Sequence, residues 1–215
     1  PAQEVGGDFY DVLCDDRSRS LWVTIGDVSG HGVPAGLVML MTQSAFAAYF
    51  RANPLARPDE VIRGVNDLLN EQIGVRLRDD KYVTGLLLQH AGAGRFVYAG
   101  AHEWPLVWRK ATGKSEVLEA PGPWLGIKRE LEDIPVSSLA LARGDLLCLY
   151  SDGLIEARDA KGELFDMERL GATLERAARE NDSLQDIAND VLEAVAAHAH
   201  EREDDWTLLL IRRAA

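Results

Sequence analysis

The sequence predicts an α+β fold in which antiparallel sheets carry helices segregated outside them. Three observations predict it. Many short runs rich in apolar residues read as strands, and four longer ones as helices, two of them with apolar residues at 3.6-residue spacing. The runs follow the order strands, two helices, many strands, two helices, one strand, unlike the regular alternation of a doubly wound parallel sheet. The chain has 215 residues, 47% of them apolar and 27% charged, enough for one core-bearing domain and unlike a disordered or collagenous chain.

Each element has its own local reason. Residues 8–14 and 20–26 are rich in aromatic and β-branched side chains and read as strands around the polar turn Asp15 to Arg19. The glycine-rich VSGHG turn follows, and Pro34 opens a helix running to about Arg51. A second helix follows Pro58, with Asp59 as its cap, one apolar face from Val61 to Ile73, and Gly74 as its stop. Residues 82–88 and 95–99 read as strands around AGAG, and 105–110 and 115–119 as a hairpin. Residues 137–142 and 146–151 read as strands that flank an Arg143-Gly144-Asp145 turn. Helices are expected over Met167 to Glu180 and Ser183 to about His200, and a last strand over Trp206 to Arg212. No fixed-period repeat or interdomain linker is visible, so residues 1–215 read as a single domain.

Composition excludes several classes. The net charge is −12 with no run of Lys or Arg, which argues against nucleic-acid binding. Val28 to Phe50 carries no Asp, Glu, Lys or Arg, but only Ala35 to Phe50 reads as continuous helix, too short to span a bilayer. Neither membrane insertion nor a secretory signal is expected. Cys14 and Cys148 cannot staple a domain of this size and suit a reducing compartment. The chain therefore reads as an excerpt of a longer cytoplasmic protein.

Four acidic positions share one pattern. Asp8 follows Gly6-Gly7, Asp27 ends a strand after Gly26, Asp152 ends a strand before Gly153, and Asp204-Asp205 precedes the last strand. A short carboxylate at a strand lip beside glycine is held rigidly yet open to a ligand. Carboxylates without His or Cys partners suit the hard cations Mg²⁺ and Mn²⁺. Four carboxylates in one pocket would raise each other's pKa unless divalent ions neutralised them. Taken singly, each aspartate also reads as a turn or cap residue.

Other chemistry is poorly supported. Gly113-Lys114-Ser115 lacks the first glycine of a phosphate-binding loop, since position 108 is Trp108. A cysteine phosphatase needs arginine six residues after its nucleophile, but Ser20 and Leu154 stand there. His198, His200, Glu201 and Glu203 read as a solvated helix end, and the five tryptophans as core or rim residues. His31 reads equally as a general acid or as a turn-holding residue.

The motifs GGDFYD (6–11), IGDVSGHGVPAGLVM (25–39), YVTGLLL (82–88), PWLGI (123–127), GDLLCLYSDGLIEARDAKGELF (144–165) and DDWTLLLIRR (204–213) occur in order. The set resembles the metal-dependent PPM-type (protein phosphatase type 2C) serine/threonine phosphatases, in the bacterial stage II sporulation protein E-like branch that regulates sigma factors. The resemblance covers nearly the whole chain. It implies a four-layer α/β/β/α sandwich, two central antiparallel sheets flanked by helix pairs. It also implies two Mn²⁺ or Mg²⁺ ions held by Asp8, Asp27, the Val28 carbonyl, Asp152 and Asp204. Asp205 would orient the turn, or exchange roles with Asp204. The implied reaction is hydrolysis of a phosphoserine or phosphothreonine monoester by a water that the ions activate. The implied substrate is a phosphorylated anti-sigma-factor antagonist. A homodimer is an open alternative. Two departures stand out in GAHEWP (100–105), where Ala101 and Glu103 replace the usual glycine and asparagine. Two other readings of the same residues are a catalytically silent binding or scaffold module of this fold and a metal-dependent nucleotide phosphohydrolase.

Overall fold

The computed structural model describes residues 5–214. Its first elements are β1 (Phe9–Asp15), β2 (Ser20–Val28), α1 (Val33–Ala52), α2 (Pro58–Leu69), β3 (Val83–His90) and β4 (Arg95–Ala101). Then come β5 (Leu106–Arg109), β6 (Lys114–Val117), β7 (Val136–Ala140), β8 (Leu146–Tyr150), α3 (Asp152–Ile155), α4 (Asp166–Glu180), α5 (Leu184–His198) and β9 (Leu208–Arg212). They fall into two compact units. The first holds the chain up to His102 together with Ala120–Ala140, and the second holds Glu103–Glu119 and the chain from Leu141 onward.

The first unit is a five-stranded antiparallel sheet in the order β1-β2-β3-β4-β7. Alternation fixes the facing of β1: Phe9 points inward at 3% exposure while Tyr10 and Val12 face solvent. Trp22, Val38, Phe46, Phe50, Ile62, Leu69 and Leu87 share one buried cluster built by the sheet with α1 and α2. Trp22 meets Phe50 edge to face at 5.1 Å, and its indole N–H donates to the Pro54 carbonyl at 3.1 Å. A buried indole needs such a partner.

The second unit is a four-stranded antiparallel sheet in the order β6-β5-β8-β9. Leu146, Cys148 and Tyr150 of β8 share a buried cluster with Leu170, Leu174, Ile187, Val191 and Val195 of α4 and α5. Cys148 is wholly buried, whereas Cys14 is exposed. Burial pushes the Cys148 thiol up to about 12, because a thiolate there would be desolvated. Ser183 caps α5, its hydroxyl accepting from the Asp186 N–H at 3.3 Å.

Two antiparallel sheets with their own helices make the α+β class expected from the element order. Several finer expectations are corrected. Asp59 does not cap α2: the helix starts at Pro58 after Arg57, and Asp59 lies inside its first turn, paired with the Arg57 guanidinium at 3.0 Å. Gly74 does not end that helix. The chain widens into a π-helical stretch over Asn70–Leu77 and stops at Arg78, which adopts a left-handed φ of 55°. The strands that flank Arg143–Asp145 join different sheets, β7 pairing with β4 and β8 with β5 and β9. The short α3 was not foreseen. Helix α1 reaches twenty residues, long and apolar enough to cross a membrane by length and composition. Its inner face of Ala35, Val38, Phe46 and Phe50 belongs to the first unit's core.

Candidate metal centre

In the first unit the β1–β2 register ends at Phe9↔Gly26, so Asp8, just before β1, and Asp27, inside β2 and still paired with Thr84 of β3, lie at the same end of the sheet. Gly26 is required there. A Cβ would stand 2.2 Å from the Thr84 carbonyl and 2.5 Å from the Phe9 ring. Thr84 steadies the strand end, its hydroxyl 3.2 Å from the Asp27 N–H and 3.3 Å from the Asp27 carbonyl. Gly7 opens a small cradle. The Asp27 Oδ1 and the Val28 carbonyl oxygen both lie 2.6 Å from the point a Gly7 Cβ would occupy. Two hard oxygen donors thus converge on a space that only glycine leaves free. Gly30 and Gly32 take φ of 81° and 82° in the following turn, and His31 between them is exposed.

In the second unit β8 runs into Ser151 and then Asp152, the first residue of α3. The Ser151 N–H donates to the Thr207 carbonyl at 3.1 Å, and its hydroxyl accepts the Thr207 N–H at 3.1 Å. That hydroxyl also lies 3.4 Å from the Asp205 carbonyl. Gly153 is pressed against the same segment, a Cβ there falling 2.0 Å from the Asp205 carbonyl and 3.3 Å from the Asp204 Cβ. These contacts bring Asp152 and Asp204 together. Burial, then the charges of Asp204 and Glu156, raise the Asp152 carboxyl above its ordinary value. Asp205 contributes backbone to the turn, and its N–H donates to the Asp204 Oδ1 at 2.7 Å.

Sequence reasoning missed Glu103 and Glu156 as members of this acidic group. Burial, followed by the Asp152 and Glu156 charges, raises the Glu103 carboxyl. Glu103 stood out in the sequence only as a departure from AGHNPP-like segments. The Ala101 departure is harmless to the backbone. Gly100 takes the left-handed φ of 106°, while Ala101 lies in β4 without one.

The donor chemistry fits divalent ions. In the first unit the Asp27 carboxylate and the Val28 carbonyl stand together at the Gly7 cradle, and in the second unit Asp152 lies beside Asp204. Among the described residues no group of three or more His, Cys, Asp or Glu side chains is arranged to hold a metal ion. That includes the His198–Glu203 stretch, where His198 instead sits 2.9 Å from the Glu163 carbonyl and edge-on to Phe165.

Residues 17–214 match the family model described as stage II sporulation protein E (SpoIIE). The phosphoserine phosphatase RsbU of Bacillus subtilis (strain 168) is 27% identical over 217 residues. The match takes in 99% of this chain and 61% of RsbU. The RsbU and RsbW domains of Rv1364c from Mycobacterium tuberculosis superpose with a TM-score of 0.80 at 27% identity. That match covers 98% of this chain and 57% of the other. The SiaA-PP2C domain of Pseudomonas aeruginosa superposes equally well, TM-score 0.80, at 23% identity over 97% of this chain and 81% of that one, a likeness of fold.

Proposed function

The chain belongs to the stage II sporulation protein E (SpoIIE) family, and on that premise we propose that it is a metal-dependent protein phosphatase acting on phosphoserine or phosphothreonine. The observation that carries the reading is the oxygen cradle beside Gly7, where a family motif meets a donor pair suited to a hard cation. The proposed ligands are Asp8, Asp27, the Val28 carbonyl, Asp152 and Asp204, holding two Mn²⁺ or Mg²⁺ ions. Once bound, such ions acidify water and neutralise charge that builds on a phosphoryl group. The residues do the rest. Gly7 keeps a side chain out of the cradle, Gly26 lets Phe9 and Thr84 close on the strand, and Thr84 and Ser151 fix the backbones from which Asp27 and Asp152 project. The raised Asp152 carboxyl supports a cation there, since a positive charge relieves its repulsion with Asp204 and Glu156. The name of RsbU as a phosphoserine phosphatase supports phosphoserine as the ester. The family resemblance supports a phosphorylated anti-sigma-factor antagonist as the protein bearing it, met in the cytoplasm.

The test is phosphate release from a phosphoserine peptide with Mn²⁺, with Mg²⁺ and with chelator. The wild-type chain is expected to release phosphate only with metal, and Asp27→Ala to fall at least about a hundredfold. Equal rates for the two proteins, with both folded by circular dichroism, would remove the reading.

A further inference from the structure

The turn that follows Asp27 is stitched to the start of β3. The Ser29 N–H donates to the Tyr82 carbonyl at 2.9 Å, and the Tyr82 N–H donates to the Ser29 hydroxyl at 3.0 Å. This pairing sets the neighbouring Lys81 over the turn, its Nζ 3.4 Å from where a Gly30 Cβ would stand. Gly30 has no side chain to cover its backbone, so the ammonium overlooks an open floor. Among the described residues no carboxylate lies within ion-pair distance of Lys81.

Next to it stands an aromatic pair. Trp124 stacks on Tyr82 with ring centroids 4.8 Å apart and planes 8° from parallel. Trp124 is nonetheless 50% exposed, and Ile127 beside it 54%. The segment is rigidly held: Leu125 and Val83 exchange backbone hydrogen bonds of 2.8 and 2.9 Å, and the Gly126 N–H donates to the Asn66 Oδ1 at 3.0 Å. An indole fixed in place with a face left to solvent is the usual anchor of a recognition surface, not a core residue.

We propose that Lys81 binds the phosphate of the substrate and that the Tyr82–Trp124 platform takes the peptide carrying it, so that this strip of the first unit selects a phosphorylated peptide over free phosphate. The proposal rests on the phosphatase reading above. A dianionic phosphomonoester complements a lone ammonium, a compact point charge with three donors.

The experiment is steady-state kinetics of the purified chain with Mn²⁺ and a phosphoserine peptide, with inorganic phosphate as inhibitor. Lys81→Met is expected to raise both the peptide KM and the phosphate inhibition constant about tenfold. Its half-saturating Mn²⁺ concentration should stay unchanged, and Lys81→Arg should recover most of the loss. Trp124→Ala is expected to raise the peptide KM about tenfold and leave the phosphate constant as it was. An active wild type whose Lys81→Met variant keeps both constants overturns the proposal and spares the phosphatase reading. So does a Lys81→Met variant whose Mn²⁺ requirement shifts as far as its KM. A wild type without Mn²⁺-dependent phosphate release overturns both.

Discussion

The Asp145 carboxylate, 3% exposed, accepts from the Arg109 guanidinium at 2.9 Å and from the N–H groups of Lys110 and Ala142 at 3.0 and 2.9 Å. Burial alone would raise its pKa, but the Arg109 bond and the two backbone donors outweigh burial and hold it below the usual carboxylate range. A pKa lowered by folding contributes stability that is complete above the unfolded value and is lost as pH falls through the folded one. Asp145→Asn is therefore expected to cost about 2–3 kcal/mol in urea unfolding at pH 7, because donors at a buried turn lose their charged acceptor. The gap in Tm between the two proteins should close as pH is lowered below about 4. A gap that widens on acidification would contradict this account. The same scale explains what could be read of the site. Asp8, Asp27, Asp152 and Asp204 stand out as candidates because each sits beside glycine or at a strand lip, a local signal. Lys81 and Glu103 carry no such signal, because what they face depends on segments about fifty residues away in the chain: Lys81 on Gly30, and Glu103 on Asp152.

At the scale of elements, Asn66 ties α2 to the segment that carries Trp124. It is fully buried, its amide N–H donating to the Lys128 carbonyl at 2.9 Å while its Oδ1 accepts from Gly126 at 3.0 Å. Asn66→Ala is expected to destabilise the protein by about 2 kcal/mol, since the Lys128 carbonyl and the Gly126 N–H lose their partner together. Hydrogen exchange at the Gly126 amide should accelerate more than at Leu87 in the centre of β3. Equal acceleration at both would show a global effect in place of a local tether. The apolar face of α2 was readable because a 3.6-residue period is written in the sequence. Its continuation to Leu77 was not, since a π-helical turn breaks that period without changing composition. The parting of β7 and β8 into different sheets across Arg143–Asp145 was hidden for a related reason. A turn sequence dictates a reversal of the chain, but not whether the next strand joins the sheet of the previous one.

Over the whole molecule, strand and helix order was enough to predict the α+β class, since period and order are properties of the chain. The division into two units was not foreseen, because residues 103–119 join the later unit without a break in composition at either end. The two thiols are shared out between those units, Cys14 exposed at the edge of the first sheet and Cys148 sealed inside the second. A maleimide pulse on the native protein is expected to add one label within minutes, at Cys14, and the second only at the rate at which the β8 region opens, faster in urea. Two immediate labels by mass spectrometry would mean that β8 is not sealed as described. The sealed sulfur is thus a stopwatch built into the chain. Whatever strains the molecule meets, a mass shift will record which copies have at some time come apart around it.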